Sequence, residues 1–273
     1  KMLGGTTNRS IWIHGAYGTG KSQCAFALKK ILEVPEDELR AYWGKYEPLN
    51  KNNALLEKLI GHKEQGVLTA YRYASGSITS PQQLFFAVQE SIREALDKIP
   101  GSYKGNNTLK ESVISWLEDP INNDTVNKLL QLPKYMSMFS QSTADEIINT
   151  LKKSSEVSEL MDNIFAMAED RQFKAMTLTA DSLSNWIIDV VNNNHTKIVL
   201  IWDEFSGFFR QNRNSLDEFQ KIVSLCEETH FYFVIVTHPI TSIAGASVSK
   251  DDPMSVVQQR YNKVEITLPP NIA

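Results

Sequence analysis

Ile11-Trp12-Ile13-His14-Gly15-Ala16-Tyr17-Gly18-Thr19-Gly20-Lys21-Ser22 is the stretch from which the fold can be read. A short apolar run meets a glycine-rich loop of the pattern G-x-x-x-x-G-K-[ST], and the residues behind it, Ser22–Leu32, carry helical periodicity. A strand that feeds such a loop and then a helix builds a socket for a triphosphate. Backbone N–H groups and the first helical turn converge on the phosphates. Lys21 brings a compact positive charge for the β- and γ-phosphates, and Ser22 brings a hydroxyl to Mg²⁺. Gly15, Ala16, Tyr17, Gly18, Thr19, Gly20, Lys21, Ser22 and Gln23 are therefore the expected nucleotide-binding residues, with ATP and Mg²⁺ as the expected ligands. A glycine turn that merely ends a strand would not need Lys-Ser in that register.

Working outward, four more segments read as core strands: Gly66–Ala74, Lys197–Asp203, Phe231–Thr237 and Val264–Leu268. Runs such as Ile198-Val199-Leu200-Ile201-Trp202 lack polar alternation, which is how parallel strands covered on both faces read. Helical patterns separate them. Pro35–Arg40 starts a short one, and Pro81–Ile99 has Ser80 as cap and Leu84, Phe85, Val88, Ile92 and Leu96 on one side. Asp181–Val191 and Ser215–Cys226 follow the same rule. The alternation predicts an α/β fold with a doubly wound, mostly parallel five-stranded sheet, and the glycine-rich loop at its first turn resembles that of a P-loop NTPase. Residues 101–178 break the rhythm. They hold no strand pattern but four helical pieces, Leu109–Leu117, Asp124–Leu130, Ala144–Leu151 and Val157–Glu169, and read as a helical insertion between the second and third strands.

The third strand delivers Asp203 and Glu204 to its carboxyl end, where open α/β sheets bind ligands. Asp203 is placed to hold Mg²⁺ through water while Ser22 ligates it. Glu204 is placed to polarise the attacking water. The fourth strand ends in Thr237-His238. If it lies between the first and third strands, one of the two emerges beside the γ-phosphate. Thr237 has the better position because it ends the apolar run, while His238 could instead cap the strand edge, and the sequence leaves both open. Arg260 precedes the last strand. It either pairs with a surface carboxylate or reaches a neighbouring subunit's γ-phosphate.

Together, GAYGTGKS, IVLIWDE, FYFVIVTHP and QQRYNKVEITLP resemble the Walker A, Walker B, sensor-1 and arginine-bearing segments of the AAA+ superfamily of phosphate-loop ATPases. The resemblance runs from Ile11 to Leu268 apart from the middle helical stretch. It implies a strand order 5-1-4-3-2, ATP hydrolysis, homo-oligomers or rings, and Arg260 as a finger acting in trans. It also extends to the ATPase cores of large bacterial multidomain proteins, including anti-phage defence systems. Two departures stand out: the family's small helical lid would follow the fifth strand, past the end of this chain, and the insertion is larger than in a minimal module.

Composition narrows the alternatives. Of 273 residues, 42% are hydrophobic and 22% charged, and the formal charge of −4 gives no general attraction to nucleic acid or anionic membrane. Phe208, Phe209, Arg210, Arg213 and Lys221 leave local nucleic-acid binding open. Cys24 and Cys226 match no metal spacing and read as free thiols of a cytoplasmic protein. No apolar run reaches membrane-spanning length. A nucleotide-gated scaffold with little turnover and a small-molecule kinase remain as rival readings.

Overall fold

A computed structural model describes residues 10–75, 78–106, 108–154, 156–173, 179–212, 216–240, 243 and 253–267. It divides into two compact units, Lys1–Lys104 with Ile187–Ala273, and Gly105–Trp186.

The first unit is built on strands β1 (Ser10–His14), β2 (Val67–Tyr73), β3 (Lys197–Asp203), β4 (Phe231–Thr237) and β5 (Tyr261–Glu265). All the strand pairings are parallel, and the order across the sheet is β2-β3-β4-β1-β5, which is 5-1-4-3-2 taken from the other edge. Every residue of β3 and β4 is buried, as their unbroken apolar sequences require. The two faces are filled differently. One carries aliphatic side chains, Ile13, Val199, Ile201, Val234 and Val236, against Ala25 and Leu32 of α1 (Lys21–Glu33). The other carries an aromatic layer in which Trp12 stacks on Phe209 at 5.0 Å and Phe205 meets Trp202, Phe219 and Phe233.

Beyond α1, the chain forms α2 (Glu36–Lys45), α3 (Glu47–Asn50) and α4 (Asn53–Glu64), joined by a small core of Leu39, Trp43, Leu56 and Ile60. After β2 comes α5 (Pro81–Asp97), whose Ser80 and Gln83 form a reciprocal capping box. The second unit holds α6 (Leu109–Glu118), α7 (Pro120–Leu130), α8 (Pro133–Met136), α9 (Ala144–Lys153) and α10 (Ser158–Arg171). Thr108, Asp119 and Thr143 cap three of them, and Val113, Leu117, Val126, Ile147, Leu151 and Met161 are among its buried residues. The division between the units falls within α11 (Ala180–Asn194). Last come α12 (Ser206–Gln211), α13 (Asp217–Glu228) and α14 (Pro253–Gln259).

Several expected boundaries move. The fifth strand is Tyr261–Glu265 rather than Val264–Leu268, and Leu268 lies outside the described residues. At the sheet's edge this strand is half exposed, so its sequence, Tyr-Asn-Lys-Val-Glu, is polar where a central strand would be apolar. The helix expected from Ser215 begins at Asp217, with Ser215 outside the described residues, as are 174–178 of the expected insertion. Helix α2 runs on to Lys45, and α4, with Leu55, Leu56, Leu59 and Ile60 at helical spacing and Asn52 as its cap, adds an element that the strand–helix count omitted.

Candidate functional site

The loop after β1 is shaped by two glycines for different reasons. At Gly15 the segment leaving β5 passes so close that a Cβ would stand 2.3 Å from the Ile266 carbonyl oxygen. The Ile266 N–H donates to His14 O at 2.8 Å and fixes that approach. Gly20 is the N-cap of α1 with φ 85° and ψ 18°, the left-handed region that a side chain resists. No side chain caps α1 and no acidic residue stands in its first turn. The first intrahelical bond is Cys24 N–H to Gly20 O, so the N–H groups of Lys21, Ser22 and Gln23 start the helix without an intrahelical acceptor.

Lys21 is buried, and its Nζ donates to the Ala16 carbonyl at 2.8 Å. Thr19 Oγ1 donates to the same oxygen at 2.9 Å, which closes the loop on itself. Tyr17, Gly18, Ser22 and Gln23 are exposed. A buried cation beside uncapped helix N–H groups is an unfavourable arrangement in isolation, because the helix dipole and the ammonium carry the same sign there. An anion relieves both. The residues present thus fit a phosphate group.

Two strands away along the same edge, β3 ends in Asp203. Its side chain is buried, and each carboxylate oxygen accepts one hydrogen bond: Oδ2 from Tyr71 Oη–H at 3.0 Å, Oδ1 from the Glu204 N–H at 2.8 Å. Burial, reinforced by the Asp203 charge, pushes the Tyr71 hydroxyl up to about 12, so it stays a donor. Glu204 adopts φ 54° and is half buried. Its Oε2 lies 3.7 Å from Nε2 of His238, whose own N–H donates to Ser206 Oγ at 2.9 Å. Strand β4 does lie between β1 and β3, with Thr237 in register with His14. Thr237 is buried and engaged on both sides: it accepts from Trp12 Nε1 at 2.7 Å and donates to the His238 carbonyl at 2.7 Å. Of the two residues left open by the sequence, His238 is therefore the one beside Glu204. At the end of β1, burial lowers the pKa of His14, partly offset by Glu265.

Arg260 is not brought to this edge. It immediately precedes β5, whose first residue pairs with Ser10, so it sits at the amino end of the sheet, where it donates to Ser224 Oγ of α13. Phe208 and Phe209 are buried in the aromatic layer and present no face to a base; Arg210 is exposed, Lys221 bonds Glu218, and Arg213 lies outside the described residues. Both cysteines are unpaired, Cys24 exposed and Cys226 buried. Sequence reasoning omitted Tyr71, Ser75 and Trp12, which reach the site only through contacts between distant strands and loops and leave no local signal.

Among the described residues, no group of three or more His, Cys, Asp and Glu forms a metal site, and no helix is long and apolar enough to cross a membrane. The chain has a doubly wound parallel α/β fold of the generic nucleotide-binding kind, with helices on both faces of the sheet. No family model matches it, and neither the curated proteins nor the solved structures compared with it give a match.

Proposed function

We propose that the chain binds ATP with Mg²⁺ and hydrolyses it, in the manner of an AAA+-type ATPase whose turnover drives conformational change in an oligomeric assembly. One observation carries the reading. The glycine loop, with Lys21 buried against a single carbonyl, and the Asp203-Glu204 turn stand on the same edge of one parallel sheet.

In this reading residues Gly15 to Gln23 cradle the phosphates through main-chain N–H groups, and Lys21 exchanges the Ala16 carbonyl for phosphate oxygens. Ser22 and, through water, Asp203 would hold Mg²⁺, which supplies neutralisation of charge on the phosphate oxygens. A site of one hydroxyl and one carboxylate suits an ion that keeps several waters and takes its other ligands from the substrate, and needs no all-protein cluster. Tyr71 keeps the Asp203 carboxylate in place. Glu204 accepts the proton of the attacking water as the water oxygen bonds to the γ-phosphorus. The bond from that phosphorus to the bridging oxygen breaks, and ADP and phosphate leave. His238 orients the Glu204 carboxylate. Arg260, across the sheet from its own loop, serves a neighbouring subunit's nucleotide.

The test is ATP turnover of the wild type against Glu204→Gln. A lost general base lowers the rate on the order of a hundred- to ten-thousandfold while nucleotide binding persists. Equal rates, together with assembly on a non-hydrolysable analogue, would replace the ATPase with a nucleotide-gated scaffold.

A further inference from the structure

The backbone at Glu204 is held in a conformation that a glutamate resists, and the anchors that hold it come from neighbouring strands and their connections. With φ 54° the residue sits in the left-handed region, where the Cβ crowds the following carbonyl. The peptide before it is fixed by Asp203 O, which accepts from the Ala74 N–H at 3.0 Å, and by the Glu204 N–H on Asp203 Oδ1. The peptide after it is fixed by the Phe205 N–H on Val236 O at 2.8 Å and by Ser75, whose hydroxyl donates to the Glu204 carbonyl at 3.1 Å. Ser75 is almost wholly buried, at 1% exposure, and its Oγ also accepts from the Phe208 N–H at 2.9 Å. One hydroxyl therefore joins the turn after β3 to the start of α12, from a residue in the connection after β2.

The geometry assigns Ser75 as the positioning residue of Glu204: by holding the peptide that follows Glu204, it sets the direction in which the carboxylate leaves the backbone. The assignment rests on the proposed role of Glu204 as the base. The left-handed turn is shared. Ala74, next to Ser75, is itself at φ 63°, and Tyr73 and Asp203 are register partners, so β2 and β3 leave the sheet through paired left-handed residues. A second tie, Asn212 Nδ2 on the carbonyls of Ile78 and Phe208 at 2.8 and 3.0 Å, laces the same two connections together further on. Such strain persists where the surroundings over-determine it, and it concentrates at functional sites. Loss of the Ser75 hydroxyl frees the carbonyl of Glu204 and lets the turn relax toward ordinary φ values, with the carboxylate re-aimed.

The experiment measures kcat, nucleotide Kd and melting temperature for Ser75→Ala, Ser75→Thr and Glu204→Gln, and for Ser75→Ala combined with Glu204→Gln. The expected result is a kcat for Ser75→Ala lowered on the order of tenfold or more with Kd unchanged, since a small misplacement of a catalytic group costs rate rather than binding. Ser75→Thr, which keeps the hydroxyl, restores most of the rate. In the Glu204→Gln background Ser75→Ala lowers the melting temperature but not the residual rate. A folded Ser75→Ala with wild-type kcat, or a rate loss of the same size in the Glu204→Gln background, overturns the assignment and leaves the ATPase reading standing. No turnover in the wild type overturns both.

Discussion

The sheet buries a lysine at each end, and the two are buried almost alike: Lys21 is 7% exposed and Lys197 6%. Their surroundings differ. Lys197 opens β3 at the amino edge, where its Nζ reaches His62 Nδ1 at 2.9 Å and Gln65 Oε1 at 2.6 Å, in the last turn and at the C-cap of α4. The C-terminal end of a helix favours a cation, so the dipole offsets part of the burial that lowers the Lys197 pKa. Lys21 is the first residue of α1, at the end where the dipole opposes a cation, with one loop carbonyl as partner. Burial of a charge therefore does not by itself mark a site. The sign of the helix terminus beside it, and the count of acceptors already supplied, separate a cation that completes the fold from one that, in the proposed function, receives an anion.

The sharpest way to break this contrast is a matched pair of substitutions. Lys21→Met lowers ATP affinity by about 3 kcal/mol, on the order of a hundredfold, by removing a charged partner of the phosphates. Lys197→Met leaves that affinity unchanged. Titration with a fluorescent nucleotide reads both, and equal losses would show that the effect is long-range charge rather than contact. Without nucleotide the order inverts. Lys197→Met costs roughly 1–2 kcal/mol in urea unfolding because two acceptors lose their donor, whereas Lys21→Met is neutral or stabilising.

Glycines sharpen the same comparison at smaller amplitude. Gly15→Ala forces the strand-leaving segment at Ile266 away from the loop and costs about 1–3 kcal/mol. Gly66, at the amino edge, has φ 82°, and a Cβ there would stand 3.3 Å from the His195 carbonyl oxygen, so Gly66→Ala costs about 1–2 kcal/mol, from backbone conformation with a milder crowding than at Gly15. Chemical denaturation of the two variants compares the severe clash at Gly15 with the mainly conformational cost at Gly66. Only Gly15→Ala is expected to weaken nucleotide binding as well.

The smallest expected effect is a pH dependence at Tyr71. Its folded pKa of about 12 lies above the ordinary tyrosine value of roughly 10, so the neutral hydroxyl is the form that stabilises the fold. That contribution is complete below about pH 10 and is lost as pH rises through about 12. Tyr71→Phe removes this alkaline slope in unfolding midpoints and weakens the hold on Asp203. An unchanged slope in the variant would assign the loss to another group.

Much of the architecture was legible because central strands must be apolar throughout. The bounds of β3 and β4 follow from continuous runs that water cannot share. Strand β5 was harder to place, since an edge strand need not be apolar and Tyr261-Asn262-Lys263 resembles a loop. The glycine loop and Asp203-Glu204 were legible as patterns because the phosphate and metal chemistry proposed for them would restrict residue types at fixed local spacing, and the structure sets both on one edge of the sheet. The contacts of Thr237 and His238 were not legible. Trp12 donates to the threonine hydroxyl from a neighbouring strand 225 residues away in sequence, and His238 stands beside Glu204.

The amino-acid sequence by itself determined the strand–loop–helix unit at residues 11–32, the two buried central strands and the acidic pair at the end of β3, all of them local patterns of burial and chemistry. Only the tertiary structure decided which groups face one another. It put β4 between β1 and β3, Tyr71 on Asp203, His238 beside Glu204, and Ser75 under a left-handed glutamate. The reason is physical. Each of those contacts joins residues on separate strands or connections, and its existence follows from sheet order and register, which single-segment periodicity does not encode.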